Sequence, residues 1–272
     1  MERQTITSRQ NPLVKFVCGL AEKKKRAESG LFRFDGVKLL GEAVSSEIKF
    51  KYIICREPMS DTVRELSELA IKNALVEAQN VVLVDDGVFQ KLSEERAPEG
   101  VICVSYKLDE LHIAREELPA DGERIIVAES LRDTGNLGTV IRSAYALGID
   151  RIVLTDDCAD LYNPKTVRAA MGAIFRMPTI TVGVGELPNY IRKLRESGRR
   201  VYATALSENS LNIVELELNR GDCFVIGNEG HGLTSECISA CDASVIIPMR
   251  ESAESLNAAA AASICIWETV KA

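Results

Sequence analysis

Apolar residues fall in short runs along the chain, separated by polar stretches rich in turn-forming residues. Leu13, Phe16, Val17 and Leu20 recur at helical spacing behind Asn11-Pro12, which suits a helix start, so residues 11–29 are expected to contain a helical stretch. Leu31-Phe32-Arg33-Phe34 alternates like a strand. Further helices are expected at 37–45, 61–78 and 89–93, and further strands at 51–55, 81–84 and 100–106. Residues 108–123 carry no apolar strand pattern and include Pro119 and Asp121-Gly122, which sets a boundary between domains at 1–115 and 116–272. Beyond it, strands at 124–128, 151–154, 179–182, 200–205, 223–226 and 244–247 alternate with helices at 137–147, 164–175, 187–197, 234–240 and 255–270. Short strands separated by helices imply right-handed crossovers and a mainly parallel α/β sheet, whose ligands bind in the loops at the carboxyl ends of the strands.

Composition narrows the function classes. The 272 residues suit two domains, and 46% apolar content is enough for substantial cores. No apolar run approaches the ~20 residues needed to span a bilayer, and Met1 to Gln10 is polar, so a cytoplasmic protein without a membrane partner is expected. Eight cysteines are scattered without a C-x-x-C pair, and there are only two histidines, His112 and His231. That pattern points to buried, reduced thiols and to no metal site. The net charge of −7 is unevenly spread: Met1 to Arg56 holds 12 Lys and Arg against 6 Asp and Glu, a local +6, leaving −13 on the remainder. A basic segment on an acidic body fits a polyanion-binding module, with Lys23, Lys24, Lys25 and Arg26 as candidate RNA phosphate contacts. A solvated basic helix face accounts for the same run.

Three strand–loop–helix joints have unusual content. The first runs from Glu129 to Arg142, with Gly135 and Gly138 permitting close backbone approach and Asn136 placed to cap the helix. It lacks the G-x-G-x-x-G of a dinucleotide fold, which argues against a nucleotide-dependent oxidoreductase. The second, Gly227-Asn228-Glu229-Gly230-His231-Gly232-Leu233, sets a carboxylate among glycine-exposed amides and suits a cationic ligand better than a phosphate; Thr234 is placed to cap the next helix. The third runs Ile247-Pro248-Met249, then Glu254-Ser255-Leu256-Asn257 and an alanine-rich helix that Ser255 or Asn257 can cap. Each joint alone is compatible with an ordinary capped turn.

Taken in order, Asn136, Gly138 and Arg142, then Gly227 to Leu233, then Ile247 to Asn257 resemble the motifs of the SpoU, or TrmH-like, RNA 2′-O-ribose methyltransferases of the SPOUT superfamily. Ile6 to Pro12 and Phe32 to Gly36 are similar to the opening of that family's L30e-like substrate-binding domain. Two positions depart from the pattern: Thr134 stands where the family often has proline, and Glu251 where it often has glycine.

The resemblance implies an L30e-like α/β domain followed by a SPOUT α/β domain with a C-terminal trefoil knot, acting as a homodimer. It implies S-adenosylmethionine as cofactor, held by Thr204, Gly227, Asn228, Gly230, Ile247, Met249 and Leu256, and RNA as substrate. Arg142 would meet the 2′-hydroxyl, as a base or as an electrostatic stabiliser, with Asn136, Glu229, Ser255 and Asn257 completing the catalytic set and Glu229 placed to hold Arg142. The sizeable N-terminal domain favours ribosomal RNA; transfer RNA and a non-catalytic RNA-binding assembly factor are the alternatives.

Overall fold

The computed structural model describes residues 5–93, 97–113, 117–207, 209–250, 252 and 255–271. In chain order its elements are α1 (Pro12–Gly19), α2 (Lys23–Ser29), β1 (Leu31–Asp35), α3 (Val37–Ser45), β2 (Phe50–Arg56), α4 (Asp61–Lys72), β3 (Val81–Val84), α5 (Asp86–Leu92), β4 (Val101–Tyr106), β5 (His112–Ile113), β6 (Ile125–Ala128), α6 (Thr134–Leu147), β7 (Arg151–Thr155), α7 (Pro164–Ala170), β8 (Thr179–Val182), α8 (Leu187–Glu196), β9 (Val201–Thr204), β10 (Leu211–Asn212), β11 (Cys223–Ile226), α9 (Ser235–Ala240), β12 (Ala243–Ile246) and α10 (Ala258–Lys271). They form two compact units: Met1–Leu108 with Asp160–Phe175, and Asp109–Ala159 with Arg176–Ala272.

The first unit is built on a four-stranded sheet in the order β1-β4-β2-β3, in which only β2 and β3 run parallel. One face carries α1 and α5 over a core of Val14, Val17, Leu20, Val88, Phe89 and Leu92. The segment at 160–175 belongs to this unit because its aromatic rings join the unit's own: Tyr162 lies 4.7 Å from Phe32, and Phe175 5.1 Å from Phe34.

Residues 11–29 form two helices rather than one continuous stretch, and Arg26 holds the corner between them. It donates to the carbonyls of Leu20 (2.8 Å) and Ala21 (2.7 Å), and through Nε (3.1 Å) and Nη2 (2.5 Å) to Asp160. At 2% exposure Arg26 cannot reach a phosphate, so it leaves the set of RNA contacts expected from sequence. Lys25 and Lys24 lie 2.9 and 4.0 Å from Glu28, which partly offsets their charge. The helix expected over 61–78 stops at Lys72, because Ala74 takes φ 54° and turns the chain away. The short strands β5 and β10 carry no alternation long enough to reveal them in the sequence.

The second unit is an eight-stranded sheet in the order β10-β12-β9-β11-β6-β7-β8-β5, with every pairing parallel. Its central strands β6 and β11 are buried at every residue, as expected of strands covered on both faces. The cysteines are all free; Cys18 is half-buried and the other seven are buried. No helix among the described residues is long and apolar enough to cross a membrane.

The Arg26–Asp160 pair generates a contrast within one basic run. Arg26→Ala leaves Asp160 without its cation and is expected to cost about 3 kcal/mol, whereas Lys23→Ala on the exposed side should stay within about 0.5 kcal/mol. Urea unfolding of both variants measures the difference.

Candidate active site

The three loops flagged in the sequence leave the carboxyl ends of β6, β11 and β12. With β9 these are four neighbouring strands of the parallel sheet, where this topology places ligands. Thr204, Gly227 and Ile247 stand at or just past the ends of β9, β11 and β12.

In the first loop, Asp133 caps α6 by accepting from Asn136 N at 2.8 Å, so Asn136 is not the cap expected from sequence. Its side chain is thereby free to act elsewhere. Asn136 Nδ2 donates to Glu229 Oε1 at 3.0 Å, and Asn136 Oδ1 accepts from Asn257 Nδ2 at 2.9 Å. Glu229 also accepts from the backbone N–H groups of Arg132 (3.3 Å) and Asp133 (3.1 Å) at the mouth of α6. Asn257 Oδ1 in turn accepts from Ala259 N (2.9 Å) and Ala260 N (3.2 Å), capping α10. One polar chain therefore ties all three loops together.

Partial burial on its own would raise the Glu229 carboxyl. The hydrogen bonds from Asn136 and from the backbone of Glu229, Asp133 and Arg132 outweigh it and hold the group below the usual carboxylate range. Glu229 is thus an anion at neutral pH, and its donors are amides rather than Arg142. The expected Glu229–Arg142 pair is absent: Arg142 is exposed on α6 and has no hydrogen-bond or ion-pair partner among the described residues.

A cleft of about 480 Å³ is lined by Asp133, Asn136, Glu229, Ser255, Leu256, Asn257 and Ala258. It gathers four of the five expected catalytic residues and one expected cofactor residue, Leu256. Arg142, Thr204, Gly227, Asn228, Gly230, Ile247 and Met249 are not on its walls. Asp133 joins it unforeseen, although a carboxylate three residues before Asn136 is the signal of a helix cap. Glu251 and Glu254 lie outside the described residues.

Several expected cofactor residues prove to build the loops. Gly227 has no room for a side chain, since a Cβ there would sit 2.4 Å from the Gly232 carbonyl carbon. Asn228 and Gly232 exchange two backbone hydrogen bonds of 3.0 Å, closing the loop into a ring. The Asn228 side chain donates to Ser130 O (2.7 Å) and accepts from Gly230 N (2.8 Å) and His231 N (3.2 Å), so its polar atoms serve the loop. The Thr204 hydroxyl donates to Val225 O at 2.7 Å. Ile247 is half-buried, while Met249 and Leu256 are 45% and 40% exposed.

Beneath these loops lies a polar layer that their motifs do not announce. Glu129, 1% exposed, accepts from Thr234 N (2.9 Å) and from its hydroxyl (2.7 Å). Thr234 caps α9 as expected. Ser130 takes φ 53°. Its N–H donates to Thr155 Oγ1 and its hydroxyl to Asp157, each at 2.7 Å. Asp157 also accepts from Thr155 (2.7 Å) and Arg132 (3.0 Å). Burial pushes the Asp157 carboxyl up, and its bonds from Ser130, Thr155 and Arg132 bring it below its ordinary value.

Comparison with known proteins accords with this geometry. The family model of the SpoU rRNA Methylase family matches residues 123–267, and that of the MRM3-like substrate binding domain matches residues 11–103. The chain is 31% identical over 262 residues to the 23S rRNA (guanosine(2553)-2′-O)-methyltransferase RlmP of Bacillus subtilis (strain 168), covering 96% of this chain and 97% of the relative. It is 30% identical over 278 residues to the 23S rRNA (uridine(2479)-2′-O)-methyltransferase of Streptomyces viridochromogenes, covering 98% and 91%. The crystal structure of an AdoMet-bound rRNA methyltransferase from Sinorhizobium meliloti superposes with a TM-score of 0.81 at 28% identity, over 98% of this chain and 97% of the other. The ordered loops, the parallel sheet that presents them and the family model spanning more than half the residues agree: the chain belongs to the SpoU rRNA methylase family.

Proposed function

We propose that this chain transfers a methyl group from S-adenosylmethionine to a ribose 2′-hydroxyl of large-subunit ribosomal RNA, as a cytoplasmic homodimer. The observation that carries the reading is the Glu229–Asn136–Asn257 chain, which joins the three motif loops beside the cleft. The 23S rRNA named for both relatives favours ribosomal over transfer RNA.

The residues present fit the cofactor. Half-buried Ile247 and exposed Met249 and Leu256 supply apolar contact for a purine ring, and the ring-closed loop from Gly227 to Gly232 offers backbone groups at its glycines. When bound, the cofactor supplies a methyl group on a positively charged sulfur that leaves as a neutral thioether, so no protein acid is needed for the leaving group.

The protein's task is then to align the 2′-oxygen and to manage its charge. Arg142 faces the ribose and stabilises the oxyanion as the hydroxyl proton passes to solvent. A guanidinium is a poor base at neutral pH, and no carboxylate among the described residues neutralises this one. Its full charge is available to the substrate. Asn136 and Glu229 position the first turn of α6, the helix that carries Arg142. Ser255 and Asn257 supply polar lining to the cleft.

The homodimer reading rests on the outward side of α6 and α10, which pack together with a Ser263–Ser143 hydrogen bond of 2.9 Å. On that pair of helices Tyr145 and Trp267 remain 44% and 53% exposed, large apolar surface of the kind that marks an interface. A second copy burying it would bring its surface near the helix that bears Arg142.

Purified protein, labelled cofactor and RNA from a host lacking this gene test the reading: label should appear at a 2′-O-methyl in large-subunit RNA, and label confined to transfer RNA would overturn the substrate assignment. Arg142→Ala is expected to lower turnover at least a hundredfold with cofactor affinity by calorimetry unchanged; a parallel loss of affinity contradicts the role given to Arg142. Glu229→Gln faces the same donors with one acceptor fewer and should lower turnover about tenfold or more. Because the Glu229 carboxyl sits below the usual range, its stabilising contribution is present above the ordinary carboxylate pKa and is lost as pH falls through the lowered value. The turnover profile between pH 6 and 9 should therefore carry no inflection removed by Glu229→Gln. Trp267→Glu should shift the light-scattering mass from dimer to monomer; an unchanged dimer places the interface elsewhere.

A further inference from the structure

The helix α1 presents a face that the methyl-transfer chemistry does not use. Val14 and Val17 are buried in the core of the first unit, with Leu13 and Cys18 packed at its edge. At 3.6 residues per turn the opposite side carries Pro12, Lys15, Phe16 and Gly19. Lys15 and Phe16 are exposed, Phe16 to 37%.

Cations flank this face on both sides. Cys18 Sγ contacts Lys91 O on α5 at 3.9 Å, and Lys91 Nζ donates to Arg9 O at 3.0 Å. Arg9 Nε donates to Gly87 O, also at 3.0 Å, so the two side chains are held together by neutral carbonyls that leave both charges intact. On the far side, the Lys25 side chain approaches Gly19 to within 3.7 Å of where a Cβ would stand. Lys15 has no hydrogen-bond or ion-pair partner among the described residues. Of the acidic neighbours, Asp86 is engaged with Arg56 and Gln90, Asp85 with the N-terminus of α5 and Glu28 with Lys24 and Lys25, while the exposed Glu22 acts on Lys25 and further offsets that one charge.

Lys15, Arg9 and Lys91, which no carboxylate among the described residues pairs, lie around one exposed aromatic ring and match a single nucleic-acid strand, whose phosphates seek the charges while an unpaired base stacks on the ring. A duplex, with its bases already stacked, uses the charges alone. We propose that the α1 face of the first unit, centred on Lys15 and Phe16 and flanked by Arg9 and Lys91, docks a single-stranded segment of the RNA substrate, with one base stacked on Phe16. This deepens the reading of the chain as an RNA enzyme and moves the docking surface from the lysine run of α2 to α1.

The test uses the full chain and a fluorescein-labelled single-stranded RNA of about twenty nucleotides, alongside a duplex of equal length, with anisotropy titrations over a range of salt. Phe16→Leu keeps an apolar side chain and should weaken single-strand binding about tenfold while leaving the salt slope and duplex binding unchanged. Phe16→Trp should restore the affinity, which a packing role for Phe16 does not predict. Lys15→Ala with Lys91→Ala should reduce the salt slope by about 1.4, the share of two phosphate contacts on a single strand. Wild-type affinity and slope in all these variants, or equal losses for Leu and Trp at position 16, would overturn the proposal. Methyl incorporation is read separately, so an inactive enzyme that still shows these binding differences refutes the catalytic reading and not this one.

Discussion

The second unit depends on one anion. An ionised carboxylate only accepts hydrogen bonds, so the placement of Glu229 dictates the orientation of everything attached to it. Asn136 must turn its Nδ2 towards Glu229, which directs its Oδ1 to Asn257. Asn257 must then donate through Nδ2, which leaves its Oδ1 for the N-terminus of α10. Three segments far apart in sequence are thus oriented by a sequence of forced choices, with no amide free to flip without losing a bond.

That anion is itself held by a layer beneath it. Glu129 clamps Thr234 at the end of the glycine loop, and Ser130 is bound through its carbonyl to Asn228. A non-glycine residue at φ 53° costs on the order of 1 kcal/mol or more, and the bonds from Ser130 to Thr155 and Asp157 hold it there. The turn they enforce aims the N–H groups of Arg132 and Asp133 at Glu229. Backbone strain, a buried carboxylate and a side-chain network together fix the geometry of a surface cleft.

The strands and most helices were legible because each has a plain period: β6 and β11 are wholly apolar, and the body of α6, though not its start behind Asp133, follows helical spacing up to Gly148 with φ 87°. The membership of the cleft was legible too, since Asn136, Glu229, Ser255, Asn257 and Leu256 stand in recognisable motifs. What stayed hidden depends on long-range contacts. Nothing in residues 160–175 announces that Tyr162 and Phe175 pack on Phe32 and Phe34. The loop-building role of Asn228 follows from Ser130, 98 residues away, and the cap at Asp133 frees Asn136 only because Glu229 and Asn257 are there to receive it.

Arginine shows most plainly why residue type underdetermines role. Arg26, Arg33 and Arg199 are buried to 2%, 2% and 6% exposure, and each binds backbone carbonyls: Leu20 and Ala21, Leu92, and Ala120, Glu123 and Gly221 respectively. A planar fork with five donors suits the closing of chain corners that would otherwise leave carbonyls unsatisfied. Arg142 lies on a helix whose own carbonyls are already bonded, and Glu229 is committed to amides. Arg142 thus differs from the three buried arginines in local terms: its helix offers it no open carbonyl, no carboxylate among the described residues pairs with it, and its guanidinium stays exposed with its charge whole.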